Sequence, residues 1–143
     1  MTELQQVPAV DRLLERSRRG VERVEAADLE RELEQGTLVV DTRPVEQRER
    51  DGELPGALVV DRNVLEWRLD PTSPWRLPQA DALARNDGRV ILVCNEGYSS
   101  SLAVASLRAL GLRGATDLVG GYQAWRAITV SAESGGTSRS GAR

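Results

Sequence analysis

Val90-Ile91-Leu92-Val93-Cys94-Asn95-Glu96-Gly97-Tyr98-Ser99-Ser100-Ser101 lies past the middle of the chain and decides its architecture. Four consecutive apolar residues, three of them β-branched, read as a strand buried on both faces. Gly97 breaks the run, and the serines open a stretch, Ser99–Leu110, with apolar residues at helical spacing and Gly111 as its stop. Strand, tight loop and helix in that order are half of a βαβ unit. Working outward, Leu38-Val39-Val40 ends at Asp41, Ala57-Leu58-Val59-Val60 ends at Asp61, and a weaker run spans Ala115 to Val119. Between these runs lie helical candidates at Ala27–Gln35, Val45–Arg50, Asn63–Leu69 and Gln79–Ala84. The alternation predicts an α/β fold with a mainly parallel central sheet and helices on both faces. Functional groups in such sheets collect beyond the carboxyl ends of the strands, which is where Asp41, Asp61 and Cys94 fall.

The termini read differently from this middle. Leu4, Val7, Val10, Leu13 and Leu14 recur at helical spacing, with Pro8 suited to a helix start and Gly20 to its end. Residues 1–23 are therefore expected to form a helix packed on the domain, with Arg16, Arg18 and Arg19 as its solvated, dipole-complementing end. Residues 24–130 form the domain itself. From Ser131 onward the chain turns to Ser, Gly, Thr and Arg, and residues 131–143 are expected to be disordered. The first 20 residues carry Glu3, Asp11 and Glu15 without an apolar stretch, and no run is long enough to cross a bilayer, so the expectation is a cytoplasmic protein with no membrane partner.

What the composition lacks limits the chemistry. The 143 residues carry 19 basic groups, all arginine, with no histidine and one cysteine. Imidazole bases, histidine metal sites, lysine Schiff bases and internal disulfides are all excluded, and no metal site is expected. A net charge of −3 argues against nucleic acid as a partner. The lysine-free, arginine-rich vocabulary is that of a GC-rich bacterial genome. What remains as a nucleophile is one thiol, together with hydroxyls and carboxylates.

The loop Asn95, Glu96, Gly97, Tyr98, Ser99 and Ser100 suits that thiol. A chain turning through Gly97 can aim successive backbone N–H groups at one point, and the helix start adds unpaired donors. A thiol there ionises more readily, and the serine hydroxyls are further donors for an anion. Against this stand Glu96, unless it faces solvent, and the alternative that Cys94 is a small core residue.

Three separated segments resemble the rhodanese-like sulfurtransferases. Val39-Val40-Asp41-Thr42-Arg43 is similar to their strand ending in Asp-x-Arg, and Gly52-Glu53-Leu54-Pro55-Gly56-Ala57 to their Gly-His-Ile-Pro-Gly-Ala turn. Cys94 to Ser100 resembles the active-site loop, and Asp117 to Trp125 the closing Leu-x-Gly-Gly-x-x-x-Trp element. The resemblance implies a rhodanese-like fold and transfer of sulfur from a small-molecule donor through a Cys94 persulfide. It implies no cofactor, and the acceptor is an external thiol, protein thiol or cyanide. Asn95 and Ser99 stand where thiosulfate-using members carry arginine, which argues against a dianionic donor. Arg62 and Arg68 are candidates to contact a substrate anion, with a surface ion pair to Asp61 or Glu66 as the alternative for Arg62. Arg43 and Asp41 are read as a structural pair near the site. Trp67, Trp75 and Trp125 are read as core or rim packing, and Tyr98 as a wall of the pocket or a partner contact. A binding domain without catalysis, and a cysteine phosphatase or arsenate reductase, are the competing readings. The second lacks its Cys-x5-Arg arginine, because that position is Ser100.

Overall fold

The computed structural model describes residues 6–141, with side chains for 6–131. Leu4 and the last two residues of the expected tail lie outside the described residues. Four strands, β1 (Leu38–Asp41), β2 (Leu58–Val59), β3 (Val90–Val93) and β4 (Ala115–Asp117), form one sheet in the order β2-β1-β3-β4. Every pairing is parallel. Leu38 faces Val90 and Asp41 faces Val93 across β1 and β3, while Leu92 faces Asp117 across β3 and β4. This register brings Asp41, Cys94 and Asp117 to one rim.

Among the described residues six α-helices accompany the sheet: α1 (Ala9–Arg18), α2 (Leu29–Glu34), α3 (Val45–Asp51), α4 (Leu65–Leu69), α5 (Ser99–Ala109) and α6 (Gly121–Gly141). The Gln79–Ala84 stretch is a 3-10 helix, Pro78–Ala84. Side chains alternate across each strand, so each sheet face has its own core. Val40, Val90 and Leu92 pack against Leu65, Leu69, Leu83, Val104 and Leu107. On the other face Val39, Ile91 and Val93 meet Leu29, Leu54, Leu118 and Tyr122. Burial on both faces is why the strands are continuous apolar runs.

The helix α6 is assigned as far as Gly141, past Ser131. Two expectations need correction. Trp67 and Trp75 are exposed, because the short α4 buries only Leu65 and Leu69 and leaves Trp67 on its outer side. Only Trp125 packs against the core, tilted on Tyr122 with ring centroids 5.5 Å apart. Finally, Arg18 is not a solvated helix end, as described next.

Candidate active site

Cys94 follows β3 directly and is 5% exposed, yet its sulfur is not enclosed by hydrocarbon. It lines a recess of about 250 Å³ together with Thr42, Arg43, Gln47, Tyr98, Ser99 and the loop residues Asn95 and Glu96. Backbone N–H groups of Gly97 and Ser100 donate to Sγ at 3.1 and 3.3 Å. Burial pushes the Cys94 thiol up. The Ser100 and Ser99 side chains and the Ser100 and Gly97 amides act the other way, and the sum lies below the ordinary thiol value. The Ser100 hydroxyl gives its one proton to Asp117 Oδ2 at 2.6 Å, so the amides are the donors placed to stay on the sulfur. Glu96 is exposed, which keeps its charge in water.

Gly97 has a φ of +88°, and a Cβ there would lie 2.7 Å from the Gly120 nitrogen. The loop rests on Gly120-Gly121 at the start of α6, where a Cβ on Gly121 would sit 2.5 Å from the Cys94 carbonyl oxygen. That closeness lets the Tyr122 and Gln123 amides donate to the Cys94 and Asn95 carbonyls at 2.8 and 3.0 Å. Gln123 Nε2 also holds Asn95 Oδ1 at 2.9 Å. The Cys94 and Asn95 carbonyls thus face α6 while the Gly97 and Ser100 N–H groups face the sulfur.

Behind the loop stands a polar cluster. Asp117, 1% exposed, accepts from the hydroxyls of Ser100 and Ser101 and from Arg23 Nε at 2.6, 2.8 and 2.8 Å. Arg18 Nη2 and Arg23 Nη2 both donate to the Gly97 carbonyl, at 2.8 and 3.0 Å. Arg18 Nε adds a bond to Ser101 Oγ, and its guanidinium lies 5.9 Å from the Tyr98 ring centre. None of Arg18, Arg23 and Asp117 was flagged as a site residue by the sequence. The only hint was a basic helix end.

Just past β1, Arg43 pairs side-on with Asp41, donates to the Gly52 carbonyl at 2.9 Å and lies 3.6 Å from the Tyr122 ring centre. Its Nη1 is buried without a hydrogen-bond partner. Arg62 pairs with Glu66 at 3.0 Å, and Arg68 donates to the Trp75 carbonyl. Neither Arg62 nor Arg68 lines the recess. The hydroxyls of Ser100 and Ser101 face Asp117, leaving Ser99 as the serine on the recess. Tyr98 lines the recess and is largely exposed. Glu53 is paired with Arg48 at 3.2 Å.

A lone thiol at the rim of a parallel sheet, held by the amides of its own loop, defines a cysteine-centred α/β domain. The rhodanese-like domain profile matches residues 25–128, and the chain belongs to that family. Similar solved structures include a Rhodopseudomonas palustris protein described as of unknown function and a possible tyrosine phosphatase. It is 27% identical with a TM-score of 0.74, and the match covers 90% of this chain and 96% of that one. A human single-domain sulfurtransferase is 26% identical, with a TM-score of 0.57 and coverage of 74% and 96%. A rhodanese homologue from Thermus thermophilus is 32% identical, with a TM-score of 0.50 and coverage of 72% and 99%. A comparison with curated proteins finds no match.

Proposed function

We propose that the protein is a sulfurtransferase in which Cys94 carries the sulfur. The observation that supports this is the pair of amides on Sγ, at 3.1 and 3.3 Å, facing an open recess. The Cys94 thiolate attacks the outer sulfur of a donor, forming an Sγ–S bond. The donor's own bond to that sulfur breaks, and its electron pair leaves with the donor as thiolate. An external nucleophile then attacks the terminal sulfur, the Sγ–S bond breaks, and the pair returns to Sγ. Loop amides stabilise both anions without reorganising, so no general base is required. With one cysteine in the chain, the acceptor is external. Arg43, the one guanidinium lining the recess among the described residues, is already engaged by Asp41, which favours a low-charge donor such as a small-molecule persulfide over thiosulfate.

A phosphatase reading, suggested by the description of the Rhodopseudomonas relative, is less favoured. The sixth residue after Cys94 is Ser100, buried and bonded to Asp117, where phosphoryl transfer needs a guanidinium. A binding role without catalysis leaves the amide-held sulfur unexplained.

The test is intact mass after exposure to a small-molecule persulfide, thiosulfate and 3-mercaptopyruvate in parallel. The native protein is expected to gain about 32 Da, one sulfur atom, and Cys94→Ser to gain nothing. No gain with any donor refutes the reading.

A further inference from the structure

Arg18 lies on α1 and Arg23 in the segment after it, both before the 25–128 domain, yet both reach the Cys94 loop. Their two guanidiniums converge on one acceptor, the carbonyl of Gly97. In a trans peptide the N–H points opposite to the C=O, so holding this carbonyl outward turns the Tyr98 N–H away from the arginines. Among the described residues that N–H has no protein acceptor. A cation on the carbonyl oxygen also polarises the peptide and strengthens its N–H as a donor.

We propose that Arg18 and Arg23 are positioning residues of the Cys94 loop, and that Arg18 supplies from outside the domain the positive charge that the loop's own side chains lack.

The charges around the loop single out Arg18. At the end of β1, Asp41 and Arg43 cancel; at the end of β4, Asp117 and Arg23 cancel. Of α3, neutral Gln47 faces the recess, and Arg48 is paired with Glu53. Beside α6, Asp51 is paired with Arg50 and Arg126, and the loop meets neutral Gln123. Within the loop Glu96 lines the recess from its exposed edge, a carboxylate with water to screen it, and the Tyr98 phenol lies beside Arg18. Among the described residues no carboxylate pairs directly with Arg18, so no ion pair cancels its charge at the loop; Asp117 lies one hydroxyl away, through Ser101.

This deepens the sulfur-transfer reading and rests on it for its use, but not for its test. Iodoacetamide alkylation of Cys94 is followed against pH, which involves no sulfur donor. Arg18→Gln, and Arg18→Met as a second charge-free variant keeping the stem against α5, are expected to raise the alkylation midpoint by about half a pH unit. That is about a threefold loss of thiolate below the midpoint. Arg18→Lys, which keeps the charge, is expected to hold the native midpoint. Thermal melts confirm that each variant is folded. Unmoved midpoints in the folded charge-free variants overturn the proposal, and so does an Arg18→Lys shift as large as that of Arg18→Gln. Failure of sulfur loading in the native protein, by contrast, counts against the reading of function and leaves these midpoints to be judged alone.

Discussion

Asp117→Asn tests whether the buried cluster behind the loop holds the site together. Three donors, Ser100 Oγ, Ser101 Oγ and Arg23 Nη2, converge on Asp117 Oδ2 at 2.6, 2.8 and 3.2 Å, and Arg23 Nε meets Oδ1 at 2.8 Å. An asparagine has one acceptor oxygen. Placed to keep the three, it turns its NH2 toward Arg23 Nε, donor against donor. Arg23, 16% exposed in its side chain, then keeps only neutral acceptors for its charge, the asparagine oxygen and the Gly97 carbonyl. Breaking a buried pair by removing one member costs about 3–5 kcal/mol, and the residual exposure of Arg23 places this case near 3. For a chain of this size that lowers Tm by about 10 °C. The assay is thermal unfolding by circular dichroism with a urea titration beside it. A fall of less than about 3 °C, the effect of an ordinary surface pair, refutes the reasoning. The same variant loosens the start of α5, so Cys94 alkylation at pH 7 is expected to slow.

Two further outcomes follow from the geometry. Gly121→Ala, at φ +61° with Cys94 O, Asn95 C and Asn95 O within 2.5–2.8 Å of the added carbon, is expected to cost at least about 3 kcal/mol and to impair sulfur loading. Gly20→Ala, at φ +74° with nothing within 4 Å, should cost about 1 kcal/mol of backbone strain alone, and equal losses in urea titrations refute the close-approach account. Asp51 is held at about 2, chiefly by the Arg50 hydrogen bond, against burial and with help from Gln123 and Arg126. A depressed carboxylate contributes stability that is full above the unfolded pKa near 4 and lost as pH falls through about 2. The urea midpoint of the native protein should therefore fall between pH 4 and 2 more steeply than that of Asp51→Asn; parallel curves would refute the assignment.

The parallel sheet was legible because both-face burial leaves its mark along the chain itself. Leu38-Val39-Val40 and Val90-Ile91-Leu92-Val93 cannot alternate with polar residues when each face is covered by helices. The thiol loop was legible for a local reason too: Gly97 and the start of α5 determine where successive amides point. Arg62 takes the ion-pair alternative, because its nearest partner, Glu66, is one helical turn away and satisfies it before it can turn toward the recess. Trp67 was misplaced because hydrophobicity alone does not say which side of a short helix is covered.

Arg18 shows where local reading stops. A basic residue in the last turn of an amphipathic helix has the same sequence signature whether it faces water or a carbonyl 79 positions away. From sequence alone came the chemistry along the chain: the nucleophile, the turn that follows it, and the absence of histidine, lysine or a second thiol to assist it. Only the folded arrangement decided what surrounds that nucleophile. The convergence of Arg18, Arg23 and Asp117 behind Gly97, and of Gly121 beneath Cys94, depends on how α1, β4 and α6 pack, and packing contacts between distant segments leave no local periodicity to read.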